Sequence, residues 1–221
     1  MKKHNKIFDD RMLPLETGQY YHIFNKGNNK DKLFTNDENY RYFMKLYAKY
    51  LSDFVDTFAY CLLPNHFHFL IRIKEIKDLQ SLAYFVSLYP ENKENCYEQI
   101  TNVISDKFRL FFMSYAKAFN KQENRQGSLF KKYFRRKRID DYNYLVKEIG
   151  YIHMNPVHHG ISIDYANYPH SSYKGILSEK KTLLKRDDIL NWFGGKNEFE
   201  NSHQALKNHV LDKEIWRSFE E

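Results

Sequence analysis

Apolar side chains at Tyr40, Phe43, Met44, Tyr47 and Leu51 recur every three or four positions, the spacing of one face of an amphipathic helix. The preceding Thr35-Asn36-Asp37-Glu38 has the form of a capping box that would start it. A longer helix is predicted by Ile104, Phe108, Phe111, Phe112, Tyr115 and Phe119, and a third, from Tyr142 to Met154, by Leu145, Ile149 and Ile152, with Pro156 as its stop. Short apolar runs at Tyr20–Asn25, Val55–Leu62, His66–Ile73 and Leu129–Ile139 read as strands. The second and third are separated by Pro64-Asn65, which implies an antiparallel pair. The first ends at Lys26-Gly27-Asn28-Asn29, where Gly27 is read as a turn residue with positive φ. A short helix is expected over Leu79–Leu88 and a polar loop over ENKENCYEQ. Beyond Gly160 the pattern weakens into helix-like pieces at Asp187–Phe193 and Glu198–Val210.

The order β-α-β-β-α-β followed by another helix predicts an α+β fold. Its antiparallel sheet would carry helices on one face, in the ferredoxin-like split βαβ arrangement, with the other face left for a ligand. We divide the chain into a polar leader (1–17), a main domain (18–160) and a helical C-terminal extension (161–221).

Charge narrows the partners. The chain of 221 residues has a formal net charge of +7, which favours a polyanion, nucleic acid before an acidic membrane surface. Its 18 Tyr and 18 Phe can build a core or stack on bases. Cys61 and Cys96 are too few for a disulfide framework. With no signal-peptide pattern or membrane-spanning run, a cytoplasmic, nucleoid-associated protein without a membrane partner is expected.

Candidate chemistry starts on the third strand. Alternation puts His66, His68, Leu70 and Arg72 on one face and Phe67, Phe69, Ile71 and Ile73 on the other. The two imidazoles are spaced to reach one metal ion, and Arg72 would suit a phosphate; a lone His-x-His is also what a half-exposed polar face looks like. On the last helix of the main domain Tyr151 and Asn155 lie one turn apart, so the phenol could attack a phosphate while the carboxamide oxygen holds a cation. Taken alone, Tyr151 reads as a packing residue, and Tyr142 and Tyr144 are rival nucleophiles. Lys131, Lys132, Arg135, Arg136, Lys137 and Arg138 form either a phosphate-binding rim or a solvated strand edge. His22 could approach the His66 face, with packing as its default reading; His153, His158 and His159 suggest a second metal site less well than a basic loop beside DNA.

Three segments carry a resemblance: LPNHFHFLIRI, GSLFKKYFRRKRI, and YIHMNPVHHGI followed by YPHSSY. Over Tyr20 to Tyr173 they resemble the single-tyrosine HUH transposases, in particular the REP-associated tyrosine transposase branch. The resemblance implies that His66 and His68 are the metal-binding pair, Tyr151 the nucleophile and Asn155 the third ligand, where the insertion-sequence branch commonly has glutamine. It further implies a divalent cofactor, magnesium or manganese. The expected substrate is single-stranded DNA beside a hairpin, cut through a 5′-phosphotyrosine, and a homodimer is compatible with relatives that share a tyrosine helix between subunits. The competing expectation is a non-catalytic nucleic-acid-binding module on an RRM-like sheet.

Overall fold

The computed structural model describes residues 13–79 and 96–208. Strands β1 (Tyr20–Lys26), β2 (Val55–Leu63), β3 (His66–Ile73) and β4 (Arg135–Ile139) form one sheet in the order β2-β3-β1-β4. Every neighbouring pair is antiparallel. This is the expected split βαβ sheet within an α+β fold. The register sets His22 opposite Leu70 and Lys137, Phe24 opposite His68 and Arg135, and Lys26 opposite His66. Directly opposed residues share a face, so β1 brings His22 and Phe24 to the histidine side.

Helices α1 (Asp37–Leu51) and α3 (Cys96–Gln122) pack on the opposite side, as the pattern predicts; the short α2 (Ile76–Leu79) lies between them in sequence. Their core is aromatic: Phe67, Phe69, Tyr21 and Ile23 of the sheet meet Phe43 and Tyr47 of α1 and Phe108, Phe111 and Tyr115 of α3. Tyr47 stacks on Phe69 at 4.4 Å between centroids, and Phe43 tilts against Phe111 at 4.7 Å. Each buried ring contributes on the order of 1.5–3 kcal/mol of transfer free energy.

The histidine side is covered as well. Helix α4 (Tyr142–His158) crosses it, placing Leu145, Ile149 and Ile152 on Ala59, Cys61, Leu63 and Leu70. Helices α5 (Tyr173–Leu177), α6 (Arg186–Phe193) and α7 (Lys196–Lys207) complete that core with Tyr173, Ile176, Ile189 and Phe199. The second face is therefore covered by helices except where a cleft opens at the start of β3, and the C-terminal extension packs into the same core as α4. A buried polar seam joins them. His153 Nδ1 lies 2.9 Å from His203 Nε2, His153 Nε2 lies 2.7 Å from Ser172 Oγ, and Ser172 Oγ accepts from Tyr60 N at 2.8 Å.

Several local expectations change. The α1 cap is Asn36, whose side chain accepts from Asn39 N; Thr35 instead donates to the Asn39 carboxamide at 2.8 Å. Gly27 has φ −58°, not a positive value; its constraint is space, because a Cβ there would lie 2.0 Å from the Asp31 carbonyl oxygen. The strand expected over Leu129–Ile139 begins only at Arg135, since Tyr133 takes the left-handed φ of 63° and interrupts extension. Helix α4 runs past Met154 to His158 with Pro156 inside its last turn. There the missing N–H costs one bond, and Asn155 Nδ2 sits 3.5 Å from the Ile152 carbonyl that would have accepted it. Of the expected 79–88 helix, Leu79 ends α2 and 80–88 lie outside the described residues. The expected ENKENCYEQ loop is already helical from Cys96; its earlier residues lie outside the described residues, as do leader residues 1–12 and Val210.

Candidate active site

At the start of β3 the histidine side opens into a cleft, with His159 just past the end of α4 lying 4.6 Å from His66 between ring centroids. His66 is half-buried and His68 is 6% exposed. Each has one ring nitrogen engaged: His66 Nδ1 lies 2.7 Å from Asn65 Oδ1, and His68 Nδ1 lies 2.8 Å from His22 Nε2. The second nitrogen of His68, Nε2, is buried without a hydrogen-bond partner. Burial is the main reason both imidazoles stay neutral. It takes His66 down to about 3, helped by His159 and Lys26, and holds His68 well below the ordinary range, helped by His22, His66 and His159. Neutral imidazole is the form that donates a lone pair to a metal.

Helix α4 brings three polar residues to this place at one-turn intervals. Tyr151, 2% exposed, sets its ring nearly perpendicular to those of His68 and His22, at centroid separations of 5.9 and 6.1 Å. One turn earlier, the wholly buried Glu148 has Oε1 2.8 Å from His22 Nδ1. One turn later, the wholly buried Asn155 donates from Nδ2 to the Tyr151 carbonyl at 2.9 Å, and its Oδ1 has no hydrogen-bond partner. The orphaned acceptors His68 Nε2 and Asn155 Oδ1 are a neutral nitrogen and a neutral oxygen, donor types that a divalent cation takes. Among the described residues no group of three or more His, Cys, Asp or Glu side chains is gathered to hold a metal. A cation held by His66 and His68 would thus draw further ligands from an amide or from phosphate and water oxygens.

A cleft of about 1000 Å³ opens over these residues. His66, His68, His22, His159 and Tyr151 line it together with Lys26, Lys32, Lys131, Lys132 and Arg135, and among the described residues no Asp or Glu lines it. Five cations without an acid make a field that concentrates anions. Exposed Tyr133 also lines the cleft, with Lys132 Nζ 5.3 Å from its ring centroid.

The basic run thus divides. Lys131, Lys132 and Arg135 reach the cleft, while Lys137 lies 5.4 Å from the Tyr144 ring. Arg136 points to the aromatic core side, where it donates to the Leu13 carbonyl and lies 4.4 Å over Phe134; burial lowers its pKa. Arg138 is paired with Glu16 and Asp140. Arg72, expected near a phosphate, lies beyond the cleft and is paired with Asp56 at 2.7 Å. Asn155 is close in sequence to the cleft but does not line it. Sequence reasoning missed Lys26, Lys32 and Asn65, gave Glu148 no role, left His22 by default as packing although it could approach the His66 face, and gave His159 to a basic loop. Lys26 was recoverable from the strand register opposite His66, and Glu148 from its place one turn before Tyr151.

The site thus sets a histidine pair on a four-stranded antiparallel sheet against a tyrosine-bearing helix, within an α+β fold. Two comparisons narrow this. Over 120 residues the chain is 28% identical to a Haemophilus influenzae protein provisionally described as a REP-associated tyrosine transposase; the match covers 53% of this chain and 58% of that relative. In fold it is similar to a solved REP-associated tyrosine transposase bound to a REP hairpin, with a TM-score of 0.52 and 16% identity, over 83% of this chain and 94% of that one. No family model matches. Both matches are similarities to REP-associated tyrosine transposases, and the second is a likeness of fold.

Proposed function

We propose that the chain is a divalent-metal-dependent, single-tyrosine DNA transposase that cuts and rejoins single-stranded DNA beside a hairpin. The observation that carries this reading is Tyr151, seated edge-on to His68 at 5.9 Å in a cleft lined by five cations and, among the described residues, no acid. Attack by the Tyr151 phenol oxygen on a phosphate would form a 5′-phosphotyrosine and release a 3′-hydroxyl. The new ester keeps the phosphodiester energy, so a hydroxyl from another strand can reverse the step. His66, His68 and the Asn155 carboxamide would hold the cation. A bound magnesium or manganese ion would polarise the phosphate and steady the leaving oxygen. Lys131, Lys132 and Arg135 would neutralise the neighbouring phosphates. The phenol and the histidines belong to one chain here, which supports a site built within a single copy; a homodimer is not needed to assemble it.

A binding module that reads bases on an open RRM-like sheet fits less well, since helices cover the first face and all of the second but the cleft at the start of β3. The test is covalent. Labelled hairpin DNA with a single-stranded flank, incubated with protein and manganese, is expected to give an adduct that survives denaturation. Tyr151→Phe is expected to abolish the adduct while binding is kept. An adduct of undiminished yield from Tyr151→Phe would move the nucleophile elsewhere, and a wild-type protein giving only a salt-sensitive complex would leave a binding module.

A further inference from the structure

Glu148 and His22 have no part in that chemistry as stated, yet they are among the most thoroughly buried polar residues near it, at 0% and 1% exposure. A carboxylate removed from water needs a partner. Here it has Nδ1 of His22 at 2.8 Å, a close contact that lies off the best hydrogen-bond direction. His22 in turn reaches His68 Nδ1 through Nε2 at 2.8 Å. Three buried side chains from three elements, α4, β1 and β3, therefore form one line ending on a histidine of the cleft.

The line fixes where protons can sit. With the Glu148 carboxyl oxygen accepting, the proton facing it sits on His22 Nδ1. With that as the one ring proton of His22, Nε2 has a lone pair and must accept, so His68 donates from Nδ1. That leaves a lone pair on His68 Nε2, the atom that is buried without a partner. The other arrangement, with protons on both His22 nitrogens, would put an N–H on His68 Nε2 with nothing to receive it. Outer groups that orient a ligating imidazole in this way commonly change metal affinity 10–100-fold when removed.

We infer that Glu148 and His22 are positioning residues that hold His68 as its Nδ1–H tautomer and so present its Nε2 lone pair to the cation. This rests on the proposed function, because it names a role within the same site. Glu148 and Tyr151 lie one turn apart on α4, so the helix that seats the phenol also sets the tautomer of the histidine beneath it.

Nitrogen-resolved imidazole NMR of the metal-free wild-type protein tests this directly. His68 is expected to carry its proton on Nδ1, and a proton on Nε2 would overturn the inference. Manganese titration of His22→Phe and Glu148→Leu supplies the second arm. Each is expected to bind manganese at least about tenfold more weakly than wild type, with near-ultraviolet circular dichroism unchanged. Wild-type affinity in a folded His22→Phe protein would also overturn it. If one variant fails to fold, the wild-type spectrum still decides. A protein with the expected tautomer and manganese affinity that makes no DNA adduct would refute the cleavage reading and leave this inference standing.

Discussion

At Gly27 a side chain has nowhere to go, although φ −58° and ψ 143° are open to any residue. The Asp31 carbonyl fills the space where a Cβ would stand. Gly27→Ala is expected to destabilise the protein by about 2–3 kcal/mol, as overpacking does, read as a lower urea midpoint with an unchanged slope. The cause lies four residues further on in a folded loop, so sequence could mark the glycine but misassign its reason. His66 and His68 were legible because the two-residue strand period fixes their shared face whatever surrounds them. Asn155 was legible only in part. Its position one turn from Tyr151 follows from the helix, but the amide turns toward its own helix, onto the Tyr151 carbonyl, a choice that helical spacing does not encode.

Strand β4 shows how an element sorts identical charges. Alternation sends Arg135 to the cleft, while Arg136 and Arg138 are occupied elsewhere by Leu13, Glu16 and Asp140. Replacing Lys131, Lys132 and Arg135 by Gln is expected to weaken DNA binding and to flatten its dependence on salt, by about 0.9 in log–log slope for each phosphate that is no longer neutralised. The same change at Arg136 and Arg138 is expected to lower thermal stability and leave that slope as it was. Equal effects from both sets, in titrations at several salt concentrations, would refute the division. The run of charges was plain in the sequence. Its split was not, because the expected strand started at Leu129 and the left-handed Tyr133 resets the phase. The long helices α1 and α3 were legible for the opposite reason, since many turns of periodic apolar residues outvote any one position. Helices α6 and α7 were legible as the pieces at Asp187–Phe193 and Glu198–Val210, whereas the five-residue α5 carries too few turns to announce itself.

Across the whole molecule, the sheet separates an aromatic core from one that contains buried histidines. His153 and His203 join α4 to α7, and burial keeps both neutral, His203 down to about 4 and His153 well below the ordinary range. Their folded pKa values lie below the unfolded value near 6.5, so the unfolded chain takes up protons first. The stability they supply is complete above about pH 6.5 and is lost as pH falls toward 4. For His203 alone the loss amounts to roughly 3 kcal/mol. Melting temperature is expected to drop over that interval, and less steeply in His203→Gln. A parallel acid profile in the variant would show that the pair is not the sensitive element.

The turn between β2 and β3 is tied to the loop leaving β1. Gly27 N donates to the Asn65 carbonyl, and Leu33 N and Phe34 N both donate to that of Pro64. Lys26 and Lys32 ride on this loop, and His66 follows the turn directly. The backbone that carries the two cations is therefore tied to the turn that precedes His66. An incoming strand would meet a jaw whose hinge is already sewn shut, and any yielding on this side of the cleft would have to come from the strand itself.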